Sequence, residues 1–473
     1  MKKVLCLIFA AVMVLSLAAC GGDGGSGGSG DTVKAPEGFR AGYGKENITP
    51  QYTVHLQGGT WSERKSTGIF DYIYATCIAL SQGEDTVLLY TLDMKLTTDN
   101  YIDPAKEAVS LATGVPQENI LFNATHTHSS VAVRYQWDGV EKYKEEFNAA
   151  VVKAAQAAIA DLSEAEIYGG GIATEGLNFV RHYIMNDDTI AGSNFGNLTS
   201  GYKSHIRDAD NELQMVKLQR AAEDKADIVL MTFPTHSTFN EHGTHISADL
   251  SSEARKLLED NGYLPAYFMA ASGDQVPSSK IPGLSTGDYR DYGKKLGQYA
   301  LDGLTGLTKL DSTGMKLTTK TFTAPTNKED LDKLPQAQEV KALADQYGSS
   351  SAQVAAAVKE YGFASRIQAN WVVTRSRLSE TMSMDLRVLN IGDLAFVLAP
   401  YEMFGQHGME IKEKSPFATT LIITCSEGSF NYLPTEEAFE YGCYESHCSY
   451  FERGTGEKLV TEYLDILGQH KSA

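Results

Sequence analysis

Two histidines, His126 and His128, stand one residue apart in the run Asn-Ala-Thr-His-Thr-His-Ser at residues 123–129. The preceding residues 118–122 are apolar and rich in large side chains, which is typical of a buried strand. Ligand sites in α/β proteins gather where strands end, and neutral imidazole is the commonest metal ligand. The motif is compatible with a metal site and also with two ordinary loop histidines, one solvated and one hydrogen-bonded to the backbone.

Three more potential ligands follow short apolar segments elsewhere in the chain. If those segments are strands that end at one edge of the fold, two imidazoles, a carboxylate and a phenol converge, which is the donor set of a catalytic zinc site. Each residue also has a structural alternative. His236 is compatible with capping a turn, Glu402 with a favourable charge at a helix N-terminus, and Tyr432 with packing on a nearby proline. The three are His236 after residues 226–233, Glu402 after residues 394–398, and Tyr432 after residues 419–424.

Convergence of the four potential ligands predicts a mixed α/β fold. In such a fold β-sheets are packed with flanking helices, and the metal site lies at strand ends. Short apolar runs between polar turns predict strands, and apolar residues at helical spacing predict helices. The predicted strands are 69–80, 86–92, 118–124, 165–168, 212–218, 226–233, 266–270, 384–390, 394–398 and 419–424. The predicted helices are 104–113, 140–162, 252–261, 288–304, 350–361, 403–414 and 456–467, and residues 181–183 are predicted to be a loop.

The N-terminus has the features of a bacterial lipoprotein signal peptide. Lys2 and Lys3 precede an apolar run that ends in Leu-Ala-Ala-Cys at residues 17–20. This pattern predicts removal of residues 1–19 and acylation of Cys20. We therefore expect a protein of the bacterial cell envelope that is lipid-anchored, contacts the membrane through this anchor and faces outside the cytoplasm.

The chain has 473 residues, and the rest of it divides into a tether and one large domain. Residues 20–35 are rich in glycine and serine and predict a flexible tether. Residues 36–473 form the predicted catalytic domain, within which the charged stretch 327–347 is a possible inserted helical subdomain. No internal repeat and no second linker divides this domain further.

The composition narrows the classes of partner. The formal net charge is −19, which excludes nucleic-acid binding because that requires a basic surface. Four cysteines follow Cys20, and Cys77 and Cys425 lie in apolar runs typical of buried thiols. Cys443 and Cys448 share one loop, where a local disulfide and two free thiols are both compatible with the sequence.

The most specific motifs resemble those of the neutral ceramidase family, the neutral/alkaline non-lysosomal ceramidases. They follow the order of that family's N-terminal catalytic domain over nearly the whole chain after the tether. They are Ala-Gly-Tyr-Gly-Lys at 41–45, Ile-Thr-Pro at 48–50, Ala-Thr-His-Thr-His-Ser at 124–129, Pro-Thr-His at 234–236, Ile-Ser-Ala-Asp at 246–249, Gly-Asp at 273–274 with Pro277, Tyr-Glu-Met-Phe at 401–404, Tyr-Leu-Pro-Thr at 432–435 and Tyr-Glu at 444–445.

The resemblance implies one bound zinc ion and a set of residues around it. It implies that the ligands are the four residues at the ends of the predicted strands, namely His126, His236, Glu402 and Tyr432. It also implies hydrolysis of an amide by zinc-activated water, which yields an acid and an amine. His128 would handle the proton or hold the oxyanion, Arg181 would neutralise developing charge, and Tyr444 would orient the substrate. Asp274 is expected to contribute to substrate binding.

Two departures from the family pattern bear on the substrate. The family's ceramidases carry a serine two residues after the Gly-Asp pair, where this chain has Val276, which donates no side-chain hydrogen bond. Glu241, His242 and His245 stand close to the expected metal and are compatible with a second ion or with an exposed loop.

Three functions are compatible with these residues. The first is a zinc-dependent amidohydrolase that cleaves the amide of an N-acyl, ceramide-like lipid at the cell surface. The second is a zinc hydrolase of a small polar amide or ester. The third is a lipoprotein that binds a ligand on the same fold without catalysis.

Overall fold

Two β-sheets packed face to face form the centre of the fold, and helices cover the outer face of each. The structure is a computed structural model that describes residues 38–58, 64–192, 201–281, 283–284 and 286–471. The predicted signal peptide, the lipidation site at Cys20 and the tether lie outside the described residues. None of the helices in the described ranges has the length and apolarity needed to cross a membrane.

The larger sheet carries most of the strands. Within the described residues its strands are β1 Phe39–Asn47, β2 Tyr74–Gln82, β3 Asp85–Leu92, β4 Ile120–Ala124, β5 Ser163–Ala173, β6 Glu212–Arg220, β7 Ile228–Phe233, β8 Leu264–Met269 and β9 Thr308–Leu310. Their spatial order is β8-β7-β6-β5-β1-β2-β3-β4, and β9 pairs with β5. The pairs β3–β4 and β7–β8 are parallel, while β1 and β2 and the other neighbours are antiparallel.

The smaller sheet comes from the second half of the chain. Its strands are β10 Met315–Pro325, β11 Thr381–Ile391, β12 Leu394–Leu398 and β13 Thr419–Ile423, paired in that order. The pairs β10–β11 and β11–β12 are antiparallel, and β12–β13 is parallel. The antiparallel β11–β12 pair is the hairpin that alternating apolar residues produce across a tight turn.

Helices cover the outer faces of both sheets. In the described residues they are α1 Asp99–Thr113, α2 Val140–Ala160, α3 Leu250–Asp260, α4 Tyr289–Gly303, α5 Leu334–Tyr347, α6 Ala352–Glu360, α7 Arg366–Arg375, α8 Gly405–Lys414, α9 Glu436–Tyr441, α10 Tyr444–Cys448 and α11 Thr455–Lys471. Helices α1 to α4 pack on the larger sheet, and α8 and α11 pack on the smaller one. The result is a mixed α/β fold of four layers, helix–sheet–sheet–helix, which confirms the predicted fold class.

The side chains of β2 show how the layers are held. Ala75, Cys77 and Ala79 face the helices, and Ile78 and Leu80 face the smaller sheet, because successive side chains of a strand point to opposite faces. Both sets are buried, so residues 77–80 of this strand are apolar on both faces. Burying each of the large aliphatic side chains stabilises the fold by roughly 2 kcal/mol.

Glycines let α2 lie close to β1. A Cβ atom at Gly42 would lie 2.0 Å from the Ala158 carbonyl oxygen, and one at Gly44 would lie 2.1 Å from that of Ala154. Both contacts are with helix backbone, which has no freedom to move aside. The Gly-Tyr-Gly motif therefore has a packing role at this layer boundary.

The carboxyl ends of the three parallel pairs meet at one place. The residues that follow β13 extend between the ends of β4 and β8: the Ala124 N–H donates to the Cys425 carbonyl at 3.1 Å, and the Thr424 N–H donates to the Met269 carbonyl at 2.9 Å. Loops leaving β4, β7, β8, β12 and β13 are thereby brought together. This is the edge at which polar residues after the strands were predicted to converge.

Helices α5, α6 and α7 form a helical unit with a core of its own. Charged residues 327–347 were predicted as a possible inserted helical subdomain, and the structure places α5 there. It adds α6 and the unpredicted α7, which pack together through Ala337, Val340, Val354, Ala357, Phe363, Ala369, Val372 and Val373. Helix α7 also contacts α10, so this unit reaches the end of the fold where the strand loops meet.

Four local predictions were wrong. The strand predicted at 69–80 begins at Tyr74, because the chain bends between it and the two-residue strand Gly68–Ile69. Helix α1 begins at Asp99, not Pro104, because Thr98 is extended and Asp99 is favourable in a first turn. Helix α8 begins at Gly405, because Glu402 and Met403 pair as a short strand with Tyr432 and Leu433. The predicted loop 181–183 contains part of a strand, His182–Met185, that pairs with residues 190–192.

Candidate metal centre

Three of the predicted ligands converge at the carboxyl edge of the sheets. His126 follows β4, His236 follows β7 and Glu402 follows β12, and one potential ligand atom of each lies within 4.8 Å of the others. Glu402 Oε2 lies 3.1 Å from His236 Nε2 and 3.4 Å from His126 Nε2. All three side chains are buried, as a metal site away from bulk water requires.

The backbone at His126 is held in an unusual conformation. Its φ is +61°, in the left-handed region that residues other than glycine rarely adopt. Such a conformation costs on the order of 1 kcal/mol and persists only where surrounding contacts impose it. The contacts here are the Thr125 N–H bond to the Leu92 carbonyl and the ring bond from His126 to Lys95. This turn aims the imidazole at Glu402.

Hydrogen bonds fix which nitrogen of each imidazole faces the centre. The Nδ1 atoms of His126 and His236 lie 2.8 Å and 3.1 Å from the carbonyl oxygens of Lys95 and Gln275. A carbonyl oxygen only accepts, so each Nδ1 carries the proton and each Nε2 presents a lone pair beside Glu402. Metal-binding histidines are oriented by this kind of outer contact. The residues present therefore fit a cation.

His128 adds a third imidazole to the same space. Its Nε2 lies 3.1 Å from His126 Nε2, and its Nδ1 lies 3.1 Å from a carboxylate oxygen of Glu241. The neutral tautomer that donates to Glu241 leaves a lone pair on Nε2. Two imidazole lone pairs then face each other, an arrangement that a bound cation stabilises.

The charge states favour metal binding. Burial lowers the pKa of His126 to about 3, although Glu402 acts in the opposite direction. Burial, Lys95 and the neighbouring histidines lower the pKa of His128 well below its usual value. Burial acts to raise the pKa of Glu402, but His126 and His236 outweigh it and hold it below the usual range. At neutral pH His126 and His128 are therefore unprotonated and Glu402 is ionised, which are the forms that bind metals.

Tyr432, the fourth predicted ligand, lies beside Glu402. The two residues are partners in a short parallel ribbon, and the Tyr432 ring lies parallel to that of His236, with centroids 6.4 Å apart. Burial and Glu402 raise the pKa of Tyr432 well above its usual value, and Arg181 opposes them. The phenol is therefore protonated at neutral pH unless a cation lowers its pKa.

Arg181 and Tyr444 stand next to Tyr432. The Arg181 guanidinium carbon lies 5.4 Å from the Tyr432 ring centroid and 6.0 Å from that of Tyr444. The two tyrosine rings meet edge to face with centroids 5.6 Å apart. Arg181 also forms a buried ion pair with Glu445. No role was assigned to Glu445 from the sequence.

Asp274 makes its contacts with backbone near the centre. Its carboxylate accepts from the Gly405 N–H at 2.8 Å, and its carbonyl accepts from the Arg181 N–H at 2.9 Å. Asp274 is buried. Its two hydrogen bonds connect the start of α8 to the segment that carries Arg181. Val276 pairs with Phe179 in a short ribbon alongside that segment.

The residues considered for a second ion are spread apart. Glu241 contacts His128, while His242 is 70% exposed at its side chain and lies 3.6 Å from Glu241. His245 stacks on Phe70 at 4.2 Å. Within the described residues, a second group of potential metal ligands is formed by other residues, namely His182, Cys443 and Glu445. Cys443 and Cys448 are buried free thiols in the structure, with no disulfide between them.

Lys95 was also missed by sequence reasoning. Its carbonyl holds His126, and its charge acts on both His126 and Glu402. Burial lowers the pKa of its own amine, and the nearby carboxylates oppose that shift. Lys95 follows β3 by three residues, so the strand-end pattern that indicated the other residues applies to it as well.

The fold and the centre together define a mixed α/β protein with a candidate metal site at strand ends. No family model and no curated protein matches the sequence. Solved structures match the fold, and two of them are ceramidases. Neutral ceramidase from Pseudomonas aeruginosa matches with a TM-score of 0.67 and 17% identity, over 91% of this chain and 74% of that one. A ceramidase complexed with C2 matches with a TM-score of 0.67 and 16% identity, over 92% and 75%.

The chain therefore has the fold of neutral ceramidases. This confirms the resemblance found in the motifs, and the match spans nearly all of the chain. At this level of identity the likeness shows the fold, and the chemistry depends on the residues of the centre itself.

Proposed function

We propose that this chain is a zinc-dependent amidohydrolase that cleaves the amide bond of a ceramide-like N-acyl lipid. The observation that carries the proposal is the convergence of His126, His236 and Glu402 on one buried point. The shared fold with neutral ceramidases supports the reaction class. Function resides in the site, and here the site and the fold indicate the same chemistry.

The donor set favours zinc. Two imidazole nitrogens and a carboxylate, with Tyr432 beside them, form a three-residue catalytic zinc site with a further position. His126, His236 and Glu402 would hold the ion, and Tyr432 would complete the set. The bound metal would polarise the substrate carbonyl and activate water for attack.

The surrounding side chains supply the other roles. His128, held by Glu241 at Nδ1, has its Nε2 directed at the centre and is suited to take a proton from water and give it to the leaving amine. Arg181 is cationic and stabilises negative charge that develops on the carbonyl oxygen. Tyr444 contacts the ring of Tyr432 and orients the substrate from that side.

One side of the centre is apolar and supports a lipid substrate. Tyr432 packs with Trp371 and Cys448, and Ile367, Tyr444 and Tyr450 adjoin this cluster. Trp371 and Ile367 belong to α7 of the helical unit. Such a wall is suited to an alkyl chain, because each buried methylene contributes about 0.8 kcal/mol of transfer free energy. A small polar amide would make no use of the partly buried Ile367, Tyr444 and Tyr450 at the edge of this cluster.

The test combines metal analysis with a substrate panel. We expect purified protein to contain one zinc per chain and to release fatty acid from a short-chain ceramide. His126→Ala should lose both the metal and the activity. His242→Ala is the matched control, since His242 is exposed and lies outside the centre.

Other outcomes select the other functions. Turnover of polar amides or esters without turnover of any N-acyl lipid would show that the substrate class is wrong. Stoichiometric zinc with ligand binding but no turnover of any substrate would favour the non-catalytic lipoprotein. Absence of zinc from the protein after purification in zinc-containing buffer would contradict the proposal as a whole.

We also propose that acylated Cys20 holds this enzyme at the cell envelope, outside the cytoplasm. A lipid anchor would bring the apolar wall close to membrane substrates. Cys20→Ser should move the protein from the membrane fraction to the soluble fraction. Incorporation of labelled palmitate into the Cys20→Ser protein at the level of the wild type would contradict acylation at this site.

A further inference from the structure

A second group of buried side chains adjoins the candidate metal centre. His182, Cys443 and Glu445 are no more than 1% exposed and place potential ligand atoms within 4.8 Å of one another. The side-chain polar atoms of His182 and Glu445, however, already have hydrogen-bond partners. Glu445 Oε2 lies 2.8 Å from His182 Nε2, and the Tyr441 hydroxyl lies 2.9 Å from His182 Nδ1. The neutral tautomer of His182 that donates from Nε2 satisfies both bonds.

The other oxygen of Glu445 binds a guanidinium. Glu445 Oε1 lies 2.6 Å from Arg181 Nε, and Arg181 Nη2 donates to the Gly273 carbonyl at 2.8 Å. The donors of a guanidinium have fixed directions, so two acceptors on different nitrogens fix both its plane and its position. A cation bound here would be repelled by Arg181, which argues against a second metal site.

The fixed guanidinium reaches the metal centre through Tyr432. The Arg181 guanidinium lies over the Tyr432 ring, with its carbon 5.4 Å from the ring centroid. Arg181 is itself only 4% exposed, so water does not compete for these contacts. A shift of Arg181 would therefore change its electrostatic interaction with Tyr432 and with any charge that develops beside Tyr432.

We propose that Glu445, held in turn by His182, is a positioning residue that sets Arg181 for the reaction at the metal centre. This inference rests on the proposed function, because it assigns Glu445 a role in that chemistry. Glu445 acts through Arg181 and touches neither Tyr432 nor the three convergent ligands in its hydrogen bonds. Its two carboxylate oxygens accept from two different donors, whereas an amide has an NH2 group in place of one oxygen, and that group donates and does not accept.

The test is a double-mutant cycle. Glu445→Gln keeps the shape of the side chain but has one acceptor for two donors, so Arg181 shifts. We expect kcat/KM with a short-chain ceramide to fall about 100-fold, because a displacement of about 1 Å can cause a loss of that size. The zinc content should remain at one per chain. Arg181→Ala should lower kcat/KM further. Adding Glu445→Gln to Arg181→Ala should cause no additional loss, because a residue that acts through another has no effect without it.

Two further variants control the cycle. Asp161→Asn breaks the pair between Asp161 and Arg220 at the end of α2 and should leave kcat/KM unchanged. His182→Gln retains a donor for Glu445 and is expected to lose less activity than Glu445→Gln. It also serves as the test variant if Glu445→Gln does not fold.

A spectroscopic measurement separates this inference from the proposed function. In protein loaded with cobalt, Arg181→Ala should change the visible absorption bands, because Tyr432 loses the positive charge that lies over its ring. Glu445→Gln should produce a change of the same kind, and the double variant no more. If the wild type cleaves no N-acyl lipid, the proposed function fails and the cobalt spectra decide this inference alone.

Three results would overturn the inference. The first is a double variant whose loss in kcat/KM is the product of the two single losses. The second is a cobalt spectrum of Glu445→Gln that equals that of the wild type while Arg181→Ala differs. The third is two metal ions per wild-type chain that fall to one in Glu445→Gln, which would mean that His182, Cys443 and Glu445 bind a metal.

Discussion

The molecule contains two buried groups of metal-ligating side chains that differ in where their polar atoms point. In the candidate metal centre, the Nδ1 atoms of His126 and His236 donate to backbone carbonyls, and the Nε2 atoms face Glu402. In the second group, His182 and Glu445 bond to each other, and Arg181 neutralises the carboxylate. Side-chain type and distance alone do not distinguish the two groups.

The difference lies in the outer contacts. Carbonyl oxygens behind an imidazole leave its other nitrogen unprotonated and aimed at one point, which prepares a site for a cation. A guanidinium behind a carboxylate compensates the buried charge within the protein, and removing one partner leaves the other unpaired. We therefore expect the first group to respond mainly to metal and the second mainly to mutation of an ion-pair partner.

The largest expected effect is the loss of a ligand. Glu402→Ala removes the only carboxylate of the three convergent ligands. We expect zinc affinity to fall by more than about 100-fold, which is the upper end of what loss of an outer contact costs. Hydrolysis should be lost with the metal. Dialysis against a zinc buffer followed by elemental analysis measures the change.

The matching change in the second group is Cys443→Ala. Burial raises the pKa of the Cys443 thiol well above its usual value, and Glu445 raises it further, so the sulfur is a neutral thiol and a poor ligand. Zinc content should remain at the wild-type level. Loss of zinc in Cys443→Ala with retention in Glu402→Ala would reverse the roles of the two groups.

The pH dependence of stability should also separate the groups. In metal-free protein, the depressed pKa values of His126 and His128 mean that the unfolded chain binds more protons than the folded one below about pH 6.5. Stability should therefore fall as pH decreases from about 6.5 toward 3, by about 1.4 kcal/mol per pH unit for each such histidine. Urea denaturation of the metal-free protein at several pH values measures this slope.

Two variants assign the slope to one group. His126→Ala should make it shallower between pH 6.5 and 5. Burial acts to raise the pKa of Glu445, but Arg181 and His182 hold it well below the usual value. The contribution of Glu445 to the free energy of unfolding is therefore lost only when the pH falls below about 4.3, the ordinary carboxyl pKa. Glu445→Gln should therefore leave the slope between pH 6.5 and 5 unchanged. Equal slopes in wild type and His126→Ala would show that His126 is not the source.

Local patterns were sufficient for the parts of the fold that depend on short segments. The strands before His126, His236 and Glu402 are apolar runs with polar ends, and parallel pairing of such runs brings their carboxyl ends to one edge. Position after a strand was therefore an informative signal. The same signal applied to Lys95 but was not followed there.

Other features depend on contacts that no short segment contains. Glu445 is 264 positions from Arg181, and nothing in its neighbourhood in sequence indicates a charge partner. Helix α7 was missed because its buried residues, which include Gln368, Trp371 and Arg375, do not form one apolar stripe. Helix α1 was placed too late because Pro104 was taken as a first-turn proline, whereas it lies inside the helix.

The smallest expected effect comes from the far end of the second group. Tyr441→Phe removes the hydroxyl that lies 2.9 Å from His182 Nδ1 and leaves the bond from His182 to Glu445 in place. Loss of one hydrogen bond should lower the free energy of unfolding by about 1 kcal/mol. Because Arg181 keeps both of its acceptors, kcat/KM should stay within about threefold, a change below 1 kcal/mol in transition-state free energy. A loss of activity as large as that of Glu445→Gln would mean that His182 orientation, rather than the Glu445 charge, controls Arg181.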